Sequence, residues 1–317
     1  MERLEVVSPE GPECQPLGEE GGAGGHGGQS ITAAGPRPSC GAVDRRYARA
    51  VARAYEPGDQ ASRPEPTHDG SDIWTWTLAP EGAEGLPLVL HIGQRQLAVG
   101  TQVDIVAPGP VGPLGLDGLL EGAGFEVTRP SARGRDGRLR ARALRVRTLA
   151  DSVGTGMTLL VCGVNPSLYS ADAGVGYARP GNRFWPAALA AGVVAVDRDP
   201  VAALGAGTGM TGFAKRATRT AAEVSHEEYA AGFARVSRLV AWLRPGAVCF
   251  VGLSGWRTVV DRSAVAGPQP VTVGGCPAYV MPSTSGLNAR TSLAELTDHF
   301  VAARAVALGA ADGPLPR

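Results

Sequence analysis

The run Leu159-Leu160-Val161-Cys162-Gly163-Val164-Asn165-Pro166-Ser167 places a side-chain amide where an apolar stretch of strand length stops. In open α/β sheets, ligands bind outside the carboxyl ends of the strands. A little further on, Tyr177-Ala178-Arg179-Pro180-Gly181-Asn182-Arg183-Phe184-Trp185 supplies an aromatic ring and two guanidinium groups. An amide oxygen can hold a water molecule but is a poor general base. A ring can stack on a planar ligand, and arginines can hold anions. Together the amide, the stacking ring and the cationic groups can converge in one pocket. As a turn residue ahead of Pro166, Asn165 also has a purely structural reading, and Tyr177 can equally be a half-buried loop aromatic.

Elements that alternate along the chain must position these groups. Thr158 to Val164 reads as a buried strand, and Asn182 to Val193 as a helix with Pro186 in its first turn. Ser225 and Glu228 form a capping box that opens a helix with Phe233, Val236, Leu239, Val240 and Leu243 on one face, ending before Pro245. Ala247 to Leu253 and Ala278 to Met281 read as strands, with a short helix over Gly255 to Val260. Ser292 and Glu295 form a second capping box, for a final helix to about Leu308. Helices alternating with short apolar strands predict a parallel sheet covered on both faces.

The motif that ends the first strand resembles the first motif of the mismatch-specific uracil/thymine-DNA glycosylases, a branch of the uracil-DNA glycosylase superfamily. The order is the same: glycine, aliphatic, Asn165-Pro166, a glycine-containing loop, then aromatic-Ala-basic-Pro-small-Asn-Arg-Phe-Trp. Val280-Met281-Pro282-Ser283-Thr284-Ser285-Gly286-Leu287-Asn288-Ala289-Arg290 is similar to the family's second motif, the loop that enters the DNA stack. Gly207 to Thr211 and Arg216-Ala217-Thr218 resemble a middle segment. The likeness covers residues 155–307, and it implies a three-layer α/β sandwich with a short parallel sheet.

The same resemblance implies hydrolytic removal of uracil, or of thymine or a modified pyrimidine, from a mispair with guanine. The base must first leave the stack, and the transition state is oxocarbenium-like. Asn165 would orient the attacking water. Val164, Ser167, Ser170 and Tyr177 would form the base pocket, Tyr177 stacking on the base and Ser170 lying near its 5-position. Leu287 would be the wedge filling the vacated stack, with Gly286 allowing close approach and Ser283, Ser285, Asn288 and Arg290 contacting the strands. Ser167 stands where many relatives have glycine, and Ser283-Thr284-Ser285 where many bacterial relatives have Asn-Pro-Ser. Asn182 would cap its helix, Arg183 would pair internally or touch phosphate, and Phe184 and Trp185 belong to the core. The implied partner is double-stranded DNA with G·U or G·T mispairs, bound by a monomer; no metal or cofactor is expected. A rival reading keeps the fold as a non-catalytic mismatch-binding module.

Composition bounds the rest. The formal net charge is +0, so DNA binding must rest on local patches rather than a global field. Cys14, Cys40, Cys162, Cys249 and Cys276 lie far apart, a spacing that suits neither a zinc site nor a disulfide framework. With no apolar run of membrane-spanning length and an acidic start, a cytoplasmic location is expected. Lys215 is the lone lysine, outside both motifs, so strand cleavage through a Schiff base is not expected. Lys215, Arg216 and Arg219 read as a small basic loop.

Residues 1–42, rich in glycine and glutamate, read as disordered, with His26 solvated. Residues 43–150 read as a separate α/β unit, 151–308 as the glycosylase-like domain and 309–317 as a flexible tail. In the first unit, Arg45 to Tyr55 suggests a short basic helix, Leu86 to Ile92 and Gln102 to Ala107 strands, Gly115 to Gly124 a helix, and Phe125 to Val127 a strand. That ending resembles the tail of a class I methyltransferase sheet, although no glycine-rich loop precedes it. The arginines between Arg133 and Arg147 have two readings: a phosphate-contacting arm, or the solvent face of an edge strand. His226 and His299 read as structural or solvated.

Overall fold

A computed structural model describes residues 66–68, 72–78 and 82–309. The expectations for residues 1–42, for an Arg45–Tyr55 helix and for the tail beyond residue 309 lie outside these.

The first sheet begins with β1 (Ile73–Thr77), followed by α1 (Leu86–Gly93) and β2 (Gln102–Ala107). Leu86 to Ile92 is therefore helical, not a strand. Short apolar runs carry no decisive periodicity, but Pro87 in the first turn has its φ preset for a helix and no N–H to lose. In β2, Val103, Ile105 and Ala107 face the core while Asp104 and Val106 face away, the period-2 pattern of a half-covered strand. Next come α2 (Gly115–Gly122), β3 (Phe125–Arg133) and β4 (Leu139–Arg145). The strand order is β1-β2-β4-β3, with β1 and β2 parallel and β4 antiparallel to both neighbours.

Thus β4 is an inner strand rather than an edge, and its arginines are tied down. Arg142 pairs with Asp104 (2.7 Å) and Arg140 with Asp136 (2.6 Å), and beyond the strand Arg147 pairs with Asp172. Arg145 is buried and donates to the carbonyls of Gly124 and Val146. These pairings favour the structural reading for Arg140, Arg142, Arg145 and Arg147 over a phosphate-binding arm.

The second sheet starts at β5 (Leu159–Gly163), continuing through α3 (Leu168–Ala173), α4 (Phe184–Ala190), α5 (Pro200–Gly205) and β6 (Thr208–Gly212). Then follow α6 (His226–Leu243), β7 (Ala247–Val251), α7 (Leu253–Val259), β8 (Gly267–Pro268), β9 (Ala278–Met281) and α8 (Leu293–Ala307). The order is β6-β5-β7-β9-β8; all are parallel except the short edge strand β8. Both capping boxes form, with the Ser225 and Ser292 hydroxyls accepting from the amides of Glu228 and Glu295.

Helices cover both faces, as expected for a parallel sheet. Leu160 and Cys162 of β5 point into a core with Val236, Val240, Phe250 and Trp256. Leu159 and Val161 point the other way, against Phe184, Trp185, Tyr279 and Phe300. The architecture is the three-layer α/β sandwich expected from the sequence. The chain leaves β5 for β6 on one side and returns to β7 on the other. That reversal opens a crevice at the carboxyl end of β5, where Asn165 stands.

Candidate active site

A cavity of about 510 Å³ occupies this crevice. Its walls come from the carboxyl ends of the parallel strands: Val164 and Asn165 after β5, Thr211 and Gly212 on β6, Gly252 after β7, and Ser283 to Ser285 after β9. Ser167, Ser170 and Tyr177 line it as well, and Leu287 and Asn288 stand at it from the second motif loop. Val164, Ser167, Ser170, Tyr177, Ser283, Ser285, Leu287 and Asn165 thus border one space, although they are drawn from segments far apart in sequence.

The Asn165 amide is fixed. Its Nδ2 donates to the carbonyls of Pro166 (3.2 Å) and Arg216 (3.0 Å) and to the Thr218 hydroxyl (2.7 Å). Carbonyl oxygens only accept, so the NH₂ must face them and Oδ1 is left on the other side of the amide. Asn165 is half-buried and borders the cavity. A fixed amide oxygen of this kind can orient a water without removing its proton.

Tyr177 adopts φ 58°, a left-handed conformation uncommon for a non-glycine residue. Strained backbone of this kind recurs at functional sites. One face of the ring stacks on Phe184, 3.9 Å between centroids and 6° from parallel. Burial raises the Tyr177 phenol well above its ordinary value, so it stays protonated. A Cβ at Gly163 would lie 2.8 Å from the Tyr177 hydroxyl, so only glycine admits the ring there. Gly163→Ala is therefore expected to displace Tyr177, costing about 1–3 kcal/mol of stability and most of the activity at the site. A urea melt paired with a turnover assay checks this; unchanged turnover would remove Tyr177 from the site.

Ser167 caps α3, its Oγ accepting from the Ser170 amide (3.1 Å) and contacting the buried Ser170 hydroxyl (3.1 Å). The hydroxyl that replaces a family glycine is thereby turned toward its own helix. Asn182 Oδ1 accepts from the Phe184 amide (3.0 Å), as expected of a cap, and Phe184 and Trp185 are core residues.

Arg183 resolves in favour of internal pairing. Its guanidinium donates to the carbonyls of Thr291, Asn288 and Ser285, and its amide donates to Thr284 (2.9 Å). The first motif therefore braces the second. Asn288 turns its amide inward too, donating to the Ser283 carbonyl (2.8 Å) and the Thr291 hydroxyl (3.1 Å). The Ser285 hydroxyl accepts from the Leu287 amide (3.3 Å). Gly286 is needed for a protein contact: a Cβ there would lie 2.8 Å from the Gly181 carbonyl. This bracing presents Leu287 at the loop tip, 86% exposed. Arg290 is exposed beyond it, and Arg179 and Arg219 are exposed at the cavity rim.

Lys215 and Arg216 each have an acidic partner. Arg216 pairs with Glu228 (2.7 Å). Lys215 is partly buried and donates to Asp151 Oδ1 (2.9 Å) and to the Leu149 carbonyl. Asp151 Oδ2 accepts from the buried Arg235 guanidinium (2.6 Å), and Thr211 donates to Oδ1 (2.8 Å). Burial lowers the Lys215 ammonium, and the Asp151 carboxylate partly offsets that. The sequence gives no local sign of this network, because the partners of Asp151 lie 64 and 84 residues away. Tyr279 and His299 hydrogen-bond each other (2.8 Å), consistent with a structural role for that histidine. Among the described residues no cluster of potential metal ligands occurs, and no helix is long and apolar enough to cross a membrane.

The fold and the crevice define an α/β domain with a cavity at the switch point of a parallel sheet, a fixed amide inside it and an apolar loop tip at the mouth. Residues 152–306 match the family model of the Uracil DNA glycosylase superfamily. This segment, which holds the whole second sheet and both motif loops, is similar to the domains of that superfamily. The superfamily's chemistry is hydrolytic release of bases from DNA in base excision repair, so DNA is the partner it indicates.

Proposed function

We propose that the protein is a monofunctional DNA glycosylase that flips uracil, or thymine or a modified pyrimidine, out of a mispair with guanine and hydrolyses its glycosidic bond. The observation that carries this reading is the fixed Asn165 amide, whose Oδ1 is left to hold a water aimed at the sugar C1′. Tyr177, already stacked on Phe184, would offer its remaining face to the flipped base; such stacking contributes about 1–3 kcal/mol per base. Leu287 would enter the duplex as the base leaves. Exposed Arg179, Arg219 and Arg290 would meet phosphates. Partial dependence on leaving-group stabilisation suits a site with no carboxylate at the position of Asn165. The Lys215 ammonium, held by Asp151, is not set up as a nucleophile, so borohydride is expected to trap no covalent DNA adduct.

Labelled duplexes containing G·U, A·U or G·T, and single-stranded uracil, each treated with alkali after incubation, test the proposal. Cleavage at G·U exceeding that at A·U is expected, and Leu287→Ala should reduce it about ten-fold or more while sparing the single strand. Binding to G·U without cleavage of any substrate would instead favour the non-catalytic mismatch binder.

A further inference from the structure

The cavity is not built from the family-matched segment alone. His91, on α1 of the first sheet, lines the same space as Asn165, Ser170 and Tyr177 and is only 3% exposed. Its Nδ1 lies 3.2 Å from the Asp151 carbonyl oxygen. A carbonyl only accepts, so Nδ1 carries the hydrogen and Nε2 of the neutral ring carries a lone pair. Burial, with the nearby Arg95 charge, depresses the imidazole to about 4, which keeps it neutral at ordinary pH. Nε2 is buried and has no hydrogen-bond partner among the described residues. Buried polar atoms are nearly always paired, so such an acceptor calls for a ligand donor.

Lys215, which also lines the cavity, complements it. Two acceptors take N–H groups of its ammonium, Leu149 O and Asp151 Oδ1, and an ammonium has three. Asp151 holds both side chains, His91 through its carbonyl and Lys215 through its carboxylate. The result is an unpartnered acceptor and a cationic donor carried by two residues that line one cavity.

An imide edge, N–H beside C=O, is the complement of that pair. Cytosine presents the reverse at the same edge: a ring nitrogen lone pair beside an amino group. Its lone pair would meet the Nε2 lone pair, and its amino group would meet the ammonium, so both contacts would be repulsive. We propose that His91 and Lys215 read the imide edge of the flipped base, admitting uracil and thymine and rejecting cytosine. This proposal rests on the base-flipping reading above and adds a specificity residue from outside the matched domain.

The test uses the full chain with ¹⁵N-labelled histidine. It is bound to G·U duplexes carrying a 2′-fluoro sugar, which slows cleavage by disfavouring the oxocarbenium state. A matched duplex replaces uracil with 3-deazauracil, which keeps the shape but has C–H in place of the imide N–H. Uracil is expected to shift one Nε2 resonance, the one missing from His91→Leu, and 3-deazauracil to leave it unmoved. With ordinary sugars, wild type should excise uracil at least about ten-fold faster than 3-deazauracil, a preference that His91→Leu loses. Equal Nε2 shifts with both duplexes, or none with either, would overturn the proposal; the resonance measurement on wild type decides even if His91→Leu folds poorly. An Nε2 shift specific to uracil without any excision would leave the imide-reading pair standing and sink the glycosylase reading instead.

Discussion

Asn165→Ala is expected to slow single-turnover release of uracil from a G·U duplex by about 10²–10³-fold, the scale of losing one preorganised polar group at a reacting centre. Affinity for the duplex should change little. The amide cannot rotate away from its task, because turning Oδ1 toward Pro166 and Arg216 would set it against two carbonyl oxygens. The same geometry makes a second outcome specific to this chain. Asn165→Asp should not produce a faster enzyme, although a carboxylate is the stronger base. It would lose the N–H groups now donated to Pro166, Arg216 and Thr218 and would confront those two carbonyls with negative charge. Both variants also lose hydrogen bonds worth about 1 kcal/mol each, so rates are compared well below each melting temperature. A rate loss that vanished on cooling would mark Asn165 as a loop brace only.

Asp151→Ala is expected to destabilise the protein by about 3–5 kcal/mol, because it strands the buried Arg235 and the partly buried Lys215. Against a typical total of about 5–15 kcal/mol, that is a large share. A urea titration checks it; a change under about 1 kcal/mol would mean that the network contributes nothing net. The pH dependence has a definite sign. Burial alone would raise the Asp151 carboxyl, but the charges of Arg235 and Lys215 and its hydrogen bonds hold it below the ordinary carboxylate range. Its contribution is therefore complete above the unfolded-state value and is lost as pH falls through the folded one. His91 acts in the same direction higher up. Its value falls from 6.5 to about 4 on folding, so its contribution is complete above about 6.5 and declines toward 4. Stability should thus fall in two stages on acidification, and His91→Leu should flatten the first.

What the sequence made legible was local or motif-borne. The capping boxes at Ser225 and Ser292 need only partners three residues away, and both formed. The strand ending at Gly163 announced itself as an apolar run cut short by Asn165-Pro166. The helix at Leu86–Gly93 reads as a strand from sequence because eight apolar-rich residues fit either period, and Pro87 is the cue that separates the two. The arginines of β4 read as an exposed edge because Asp104, which pairs with Arg142 across the sheet, lies 38 residues upstream. Long-range polar partners leave no spacing to read, which also hid Asp151 with Lys215 and Arg235, and the position of His91 at the cavity. The role of Arg183 was open in sequence for the same reason; the carbonyls it binds lie more than a hundred residues on.

The most direct test of the central claim is to identify the products when the wild-type protein meets a G·U duplex, using mass spectrometry before any alkali is added. The account predicts free uracil and an unbroken strand with a single abasic sugar. An untouched duplex, a strand already broken, or DNA joined covalently to the protein would contradict it.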